Sequence, residues 1–207
     1  MNETKKNIFL GAGGHAKVLR DLCEKSGIHI HAIADNSLNR SKFFSDIKFL
    51  ESESEIFGFP KNEIMLINAI GSIPGNTKRW EVASKMRKNN LEFLTLVHPY
   101  TFVSDLTEVL EGVQIMAGSI VQPGVKIGRD TIVNSGVIID HDCIIEESCH
   151  IAPGSVLSGS VHVEKNSHIG TGSKIIQNIR IGENSIIAAG STVFKDVPPN
   201  TTLIQKK

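Results

Sequence analysis

Residues 133–157 read VNSGVIIDHDCIIEESCHIAPGSVL, and a large aliphatic side chain returns in them at every sixth position. The same spacing continues in both directions until sixteen consecutive positions are aliphatic, of which fifteen are Val or Ile. This run predicts a hexapeptide β-helix whose aliphatic side chains point inward along flat faces. The positions are Val103, Val109, Ile115, Val121, Ile127, Val133, Ile139, Ile145, Ile151, Leu157, Val163, Ile169, Ile175, Ile181, Ile187 and Val193.

A second column, four residues after the first, contains no charged residue and none larger than Ile. We expect these side chains to point inward near the corners of the coil. Cys143 and Cys149 fall in this column, so we interpret both as core thiols without a chemical role.

Glycine recurs with a spacing of eighteen residues, which is three hexapeptides, and this predicts a coil with three faces. The other corner positions hold Gly, Asp, Ser and Asn, which tolerate the positive φ of a tight corner. The repeat is long enough for about five coils, stacked at roughly 4.8 Å. The glycines are Gly118, Gly136, Gly154, Gly172 and Gly190; the other columns are Gly112, Asp130, Ser148, Asn166, Asn184, and Gly124, Asp142, Ser160, Asn178, Asp196.

Composition limits the functional class. The chain of 207 residues has a net charge of zero, which gives no basic footprint for nucleic acid. Its three cysteines lack the paired spacing of a disulfide framework or zinc ribbon. The N-terminus has no long apolar run, so we expect no secretory signal, no membrane span and a cytoplasmic location.

The segment at 7–36 reads as strand, glycine turn, helix and strand. Gly11, Gly13 and Ala16 fit the dinucleotide fingerprint, and Asp35 follows at the distance of a ribose-binding carboxylate. Gly14 and His15 stand at the helix N-terminus, where backbone N–H groups favour phosphate. We expect strands at 7–10, 29–34, 64–70 and 92–97, a loop or short helix at 51–62, and a helix at 75–90 with Arg79 in its first turn.

Four strands make only half of a dinucleotide fold, which suits a single nucleotide. For Asp35, a plain turn at the strand end remains open beside the nucleotide contact, and His15 could instead cap the helix. We therefore predict two domains: a small Rossmann-like α/β domain at 1–100 and an all-β helix of hexapeptides at 101–207.

Four motifs in this order resemble one family: GAGGHAKV at 11–18, a carboxylate at the end of the second strand, HP at 98–99 and HDC at 141–143. The chain is similar to sialic acid O-acetyltransferases and bacillosamine-pathway N-acetyltransferases, a family that includes perosamine N-acetyltransferases. The resemblance implies a left-handed β-helix, acetyl-CoA as co-substrate, no metal, and a homotrimer with sites between coils of adjacent subunits.

The resemblance also implies residue roles. It makes His141 the general base, with Asp142 as its orienting carboxylate where the family commonly has Glu. Asp142 could equally serve as a corner residue, and Asp140 is a rival for orienting the ring. The other implied contacts are Asn134 at the sugar, His150 near the acetyl group, and Gly159, Thr171, Gly172, Ala189 and Lys195 for coenzyme A.

The repeat adds an independent argument at His141. One coil onward stands Gly159, and we expect the missing side chain there to leave room for a thioester. His168 stacks one coil above His150, so we expect these imidazoles to be neighbours at about 4.8 Å.

We expect a cytoplasmic acetyl-CoA-dependent N-acetyltransferase that acts on a nucleotide-linked 4-amino-6-deoxy sugar in polysaccharide biosynthesis. O-acetylation of a sialic or legionaminic acid is the alternative within the class. Two other classes stay open: a metal-dependent hydratase using His141, His150 and His168, and a non-catalytic sensor. Relatives carry a G-x-P-A-K segment after DVPPN, where this sequence reads TTLIQKK, so we expect fewer coenzyme contacts from this end.

Overall fold

The computed structural model describes residues 5–36 and 42–204. The chain divides into two compact units, Met1–Thr95 and Leu96–Lys207. The second unit begins a few residues before the boundary expected at 100, because Leu96–Val97 already pairs in parallel with Gln114–Ile115.

The first unit is built on a parallel sheet. Four strands, β1 to β4, are arranged in the order β3-β2-β1-β4, with β1 Lys6–Leu10, β2 Ile30–Ala34, β3 Lys48–Leu50 and β4 Ile64–Asn68. Its helices are α1 Gly14–Lys25 and α2 Lys78–Lys88, and three short 3-10 helices span Lys42–Phe44, Glu53–Gly58 and Lys61–Glu63. The predicted strands β1, β2 and β4 are therefore present, as are the helix with Arg79 in its first turn and the short helix in 51–62.

The fourth strand of this sheet is not the one expected at 92–97. The fourth strand is instead β3, at the edge beside β2, and its three residues were too short a run to be predicted. Phe93 makes only an isolated parallel bridge to Leu66, and Leu96–Val97 belongs to the β-helix. The expected strand is thus shared between the two units.

The second unit is a parallel β-helix of eighteen described strands of two residues each. Stacked strands form three sheets, here called face A with seven strands, face B with six and face C with five. Face A contains β5 Leu96–Val97, β8 Gln114–Ile115, β11 Ile132–Val133, β14 His150–Ile151, β17 His168–Ile169, β20 Ile186–Ile187 and β22 Thr202–Leu203. Face B contains β6 Phe102–Val103, β9 Ile120–Val121, β12 Ile138–Ile139, β15 Val156–Leu157, β18 Lys174–Ile175 and β21 Thr192–Val193. Face C contains β7 Glu108–Val109, β10 Lys126–Ile127, β13 Ile144–Ile145, β16 His162–Val163 and β19 Arg180–Ile181.

Both predicted inward columns lie in the core of this coil. The aliphatic column is buried from Ile115 onward, and its first members Val103 and Val109 pack against the core. Cys143 and Cys149 are fully buried, and burial raises their thiol pKa values to about 11 and about 12. Thiols held in the protonated form agree with the prediction of inert core residues.

The predicted corner residues have left-handed backbone with one exception. Gly118 has φ +73° and Asp142 has φ +58°, as a tight corner requires. Asp196 is absent from this group among the described residues, and its Oδ1 instead accepts the main-chain N–H of Arg180 at 2.8 Å. The regular coil ends there, just before Pro198 and Pro199. Within the described ranges, the helices are too short and too polar to cross a membrane.

Candidate active site

Two corners of the β-helix carry the candidate site residues of the second unit. The His141 corner joins face B to face C and comprises residues 140–142, 158–160, 176–178 and 194–196. The Asn134 corner joins face A to face B and comprises residues 134–136, 152–154, 170–172 and 188–190. Because strands on each face are in register from coil to coil, equivalent corner residues stack with a period of eighteen.

The His141 corner presents an oriented imidazole to solvent. Nδ1 of His141 lies 2.9 Å from Oδ2 of Asp142, and the two side chains are 60% and 66% exposed. A carboxylate accepts hydrogen bonds, so Nδ1 carries the proton and Nε2 holds the lone pair of the neutral ring. The arrangement leaves the unprotonated nitrogen pointing away from the carboxylate, which is the geometry that a general base requires.

Both acidic neighbours of His141 have definite partners. Oδ1 of Asp140 accepts the main-chain N–H of His141 at 2.8 Å, whereas Asp142 contacts the ring. The hydrogen bond to Asp142 raises the pKa of His141 above its ordinary value, and the charge of Asp140 raises it further. Asp142 therefore occupies the corner position and also orients the ring. Asp140 affects the ring only through the electrostatic effect of its charge.

Gly159 makes room for the imidazole itself. A Cβ at this position would lie 2.6 Å from Cε1 and 2.7 Å from Nε2 of His141. The prediction that Gly159 leaves space for a thioester is corrected in this respect: the ring of the same chain fills the space. The absence of a side chain at Gly159 thus makes room for the His141 ring.

At the Asn134 corner, the side chain of Asn134 makes two polar contacts. Nδ2 of Asn134 donates to Nε2 of His150 at 3.1 Å, while Oδ1 of Asn134 accepts the main-chain N–H of Ser135 at 2.8 Å. The rings of His150 and His168 meet edge to face with centroids 4.8 Å apart, as the repeat predicted. Burial lowers the pKa of His168, which favours its neutral form.

The residues expected at coenzyme A are divided between the two corners. Gly159 and Lys195 belong to the His141 corner, one and three coils above the base. Thr171, Gly172 and Ala189 belong to the Asn134 corner, where the N–H of Gly190 pairs with the carbonyl of Thr171. A six-residue face at about 3.3 Å per residue separates the corners by roughly 15–20 Å. One chain therefore does not bring the predicted set together.

The first unit contains a cavity of about 440 Å³ at the carboxyl ends of its strands. Gly11 and Gly13 of the glycine turn and Asp35, three of the residues predicted to bind the nucleotide, line it. Gly11 has φ +99°, and a Cβ there would lie 3.1 Å from Ile70 Cγ1, so this position requires glycine. A Cβ on Gly13 or Gly14 would meet no atom within 4 Å, which leaves the N-terminus of α1 open.

Asp35 orders the glycine turn as well as lining the cavity. Its Oδ2 accepts the main-chain N–H of Ala12 at 2.6 Å, so the strand-end role and the place in the cavity coexist. His15 is the second residue of α1, and its Cβ lies 3.4 Å from the point where a Cβ on Gly71 would stand. Ala12 and Asn36 adjoin the predicted residues, whereas sequence reasoning missed four lining residues that come from distant segments and that no local motif marks: Glu53, Ile70, Gly71 and Lys78.

The described part of the chain offers no cluster of three or more His, Cys, Asp or Glu side chains arranged for a metal ion. His141 lies on one corner, whereas His150 and His168 lie on face A beside the other. A hydratase site built from these three histidines would therefore require more than one chain.

Comparison with known families matches both units. Residues 6–86 match the family described as the PglD N-terminal domain, and residues 106–141, 125–159 and 160–195 match the bacterial transferase hexapeptide repeats. The chain belongs to this family of hexapeptide-repeat acetyltransferases. Its fold is the predicted one, a small Rossmann-like domain followed by a left-handed parallel β-helix.

Members of this acetyltransferase family resemble the chain in sequence and in structure. UDP-N-acetylbacillosamine N-acetyltransferase of Bacillus subtilis (strain 168) is 34% identical over 124 residues, which are 54% of this chain and 52% of that protein. The alignment thus spans about half the length of that curated relative.

Two solved structures of the family superpose over nearly the whole chain. A mutant of perosamine N-acetyltransferase from Caulobacter crescentus, in complex with CoA and GDP-perosamine, has 28% identity and a TM-score of 0.86, covering 94% of this chain and 91% of that one. The acetyltransferase domain of PglB from Neisseria gonorrhoeae FA1090, in complex with acetyl coenzyme A, has 26% identity and a TM-score of 0.85, covering 94% and 93%.

Proposed function

We propose that the protein is an acetyl-CoA-dependent N-acetyltransferase that acetylates the 4-amino group of a nucleotide-linked amino-deoxy sugar. The observation that carries the proposal is the His141 imidazole, held by Asp142 on one side and by the bare Gly159 beside the ring. The relatives crystallised with CoA, acetyl coenzyme A and GDP-perosamine support the same chemistry.

The transfer proceeds directly from thioester to amine. The neutral amine attacks the carbonyl carbon of acetyl-CoA and forms the C–N bond, while Nε2 of His141 takes the proton from nitrogen. The tetrahedral intermediate collapses, the C–S bond breaks, and the thiolate of CoA leaves and receives a proton. Asp142 stabilises the imidazolium that exists between the two proton transfers, as the carboxylate of a hydrolase triad does.

The first unit supplies the binding site for the nucleotide part of the acceptor. Its cavity joins a helix N-terminus, open at Gly13 and Gly14, to the Asp35 carboxylate. Helix N-termini favour phosphate groups. We assign Asp35 to a ribose hydroxyl or base edge and His15 to the phosphate side. A free sialic acid has no phosphate for this site, so the cavity favours N-acetylation of a nucleotide sugar over O-acetylation of sialic acid.

The division of the site between two corners supports a homotrimer. Face B lies between the corners and carries outward apolar side chains, among them Phe102 and Ile138, which are 56% and 37% exposed. If face B turns toward a threefold axis, the His141 corner of each copy meets the Asn134 corner of the next. Such a heterologous contact closes into a ring. Acetyl-CoA then lies between copies, with Gly159 and Lys195 from one, and His150, Thr171, Gly172 and Ala189 from the other.

We place the enzyme in the cytoplasm, where acetyl-CoA and nucleotide sugars are available, and in the synthesis of a surface polysaccharide or glycan. Asn134 adjoins the sugar in this proposal and also holds His150 through Nδ2.

The deciding experiment offers the purified protein a panel of acceptors with acetyl-CoA. The panel contains UDP- and GDP-linked 4-amino-6-deoxy sugars, the same sugars without nucleotide, and free sialic acid. We expect CoA release and an N-acetylated product with at least one nucleotide sugar, and little with free acids. Efficient turnover of sialic acid alone would establish the O-acetyltransferase instead, and CoA binding without any turnover would indicate a sensor. Zinc bound to the purified protein, together with no acetyl transfer to any acceptor, would support the hydratase class.

A further inference from the structure

The residues assigned so far to nucleotide binding in the cavity of the first unit include no cationic side chain that could contact the phosphates. A nucleoside diphosphate brings at least two negative charges, and the cavity is lined by two carboxylates, Asp35 and Glu53. Without a compensating positive charge, these carboxylates would repel the ligand.

Both carboxylates already have partners within the chain. Oδ2 of Asp35 accepts the N–H of Ala12 at 2.6 Å, and Oε2 of Glu53 pairs with Nζ of Lys85 at 2.8 Å. The Glu53 side chain is only 27% exposed, so this ion pair is partly shielded. The negative charge that remains at the cavity is therefore smaller than the two carboxylates suggest.

Two cations begin α2 beside this cavity, and they differ in what they contact. Arg79 is fully buried and donates from Nη1 to the carbonyls of Asn68 and Ile70, at 2.7 and 2.6 Å, so it closes the end of β4. Lys78 is exposed, and of the described residues that line the cavity it is the one with a cationic side chain. Its main-chain N–H is held by Asn76 Oδ1 at 2.9 Å, which fixes the start of the helix.

We propose that Lys78 binds the phosphate groups of the nucleotide-linked acceptor, in the cavity that Gly13 of the glycine turn also lines. The assignment rests on the proposed function, since it requires an acceptor with phosphates. An ammonium is a compact point charge that suits phosphate oxygens, and Lys78 supplements the backbone N–H groups at the start of α1. Arg79, the other cation in the first turn of α2, is buried and bound to carbonyl groups, so it is not available to the ligand.

The test compares Lys78→Met with Lys88→Met by calorimetric titration. Lys88 is exposed at the other end of α2, about 15 Å along the helix at 1.5 Å per residue, and it carries the same charge. The probes are GDP and UDP, each compared with its nucleoside, guanosine or uridine. Loss of a phosphate contact weakens only the diphosphate, whereas a change in the shape of the cavity weakens the nucleoside as well.

We expect Lys78→Met to weaken the diphosphate that the wild type binds by about tenfold, the size of one charge-assisted contact, and to leave the nucleoside unaffected. Lys88→Met should leave both affinities unchanged. The KM for the acceptor should rise in Lys78→Met while that for acetyl-CoA stays constant.

Three outcomes overturn the assignment in distinguishable ways. Unchanged diphosphate affinity in Lys78→Met removes Lys78 and leaves the proposed function standing. Equal losses for diphosphate and nucleoside indicate a structural role. A wild-type protein that binds neither GDP nor UDP contradicts the nucleotide-linked acceptor itself, and the assignment of Lys78 falls with it.

Discussion

Asp142 meets two requirements at one position. Its backbone has φ +58°, a region where Asp and Asn are favoured among residues with side chains, and its carboxylate reaches Nδ1 of His141. Glu, which the family resemblance led us to expect there, has a longer reach but less tolerance of this backbone. The neighbouring Gly124 leaves the space for it, because a Cβ there would stand 2.5 Å from Oδ1 of Asp142. The shorter carboxylate is therefore compatible with the orienting role.

The pH dependence of catalysis tests this pair. A general base works only when neutral, so kcat/KM should rise as His141 loses its proton. Since Asp142 raises the pKa of His141 above 6.5, the midpoint of this rise should lie above 6.5. Asp142→Asn removes the charge, lowers that pKa and should shift the midpoint to lower pH, with a reduced plateau because the ring loses its fixed tautomer.

Asp140→Asn serves as the matched control, because its carboxylate contacts the main chain of His141 and not the ring. It should shift the midpoint in the same direction but less, with a nearly unchanged plateau. His141→Ala should lower kcat by about 10²–10⁴-fold and abolish the rise. An unaltered profile in Asp142→Asn would contradict the orienting role.

Among the elements, the corners of the β-helix use glycine for two different reasons. Gly118 has φ +73° and its nearest neighbour for a Cβ is 3.9 Å away, so only the backbone conformation favours glycine there. Gly159 is not among the positive-φ residues, yet a Cβ would strike the His141 ring at 2.6 Å. Glycine at position 118 thus suits the backbone conformation of the corner, whereas glycine at position 159 makes room for the His141 ring.

Substitution by alanine should separate these reasons. Gly118→Ala should lower the free energy of unfolding by about 1 kcal/mol, because L-residues are strained at this φ, and should leave kcat unchanged. Gly159→Ala should leave the melting temperature nearly constant, since the exposed ring moves aside, but lower kcat about 10²-fold through misplacement of the base. Thermal unfolding and kinetics on both variants check this. Equal effects of the two on activity would mean that Gly159 does not position His141.

The elements also show what the sequence determines. The six-residue period predicted the inward columns, and the eighteen-residue glycine period predicted the three faces, because each coil repeats one local environment. The strand β3, with three residues, gives no such signal and forms by pairing with β2. Glu53 and Lys78 reach the cavity only through tertiary folding, so no spacing in the chain marks them. The sequence predicted that Gly159 and His141 are neighbours on adjacent coils. Only the structure shows that a side chain at position 159 would collide with the His141 ring.

At the scale of the whole molecule, the central claim is that one catalytic site uses corners of two copies. The His141 corner holds the proposed base, and the Asn134 corner holds Thr171, Gly172 and Ala189, with His150 beside it on face A. A face of roughly 15–20 Å separates them within a chain, which is too far for one acetyl group to meet both. The period of the sequence places residues on corners, but it does not reveal which corners meet across an interface.

Co-expression of two inactive chains tests this claim most directly. His141→Ala removes the base from one corner, and Ala189→Trp blocks the other with an indole. Each homotrimer should be inactive, and each should remain a trimer by light scattering. In random mixed trimers, a site is intact when an Ala189→Trp chain supplies its His141 corner and a His141→Ala chain supplies the other, which yields about one quarter of wild-type activity.

The control pair joins His141→Ala with Gly159→Trp. Both positions lie on the same corner, so mixing these chains should restore nothing. Recovery of about a quarter of the activity for His141→Ala with Ala189→Trp, and none for the control pair, is the result we predict. Absence of recovery in verified mixed trimers, or a wild-type protein that is monomeric, would contradict a site shared between copies.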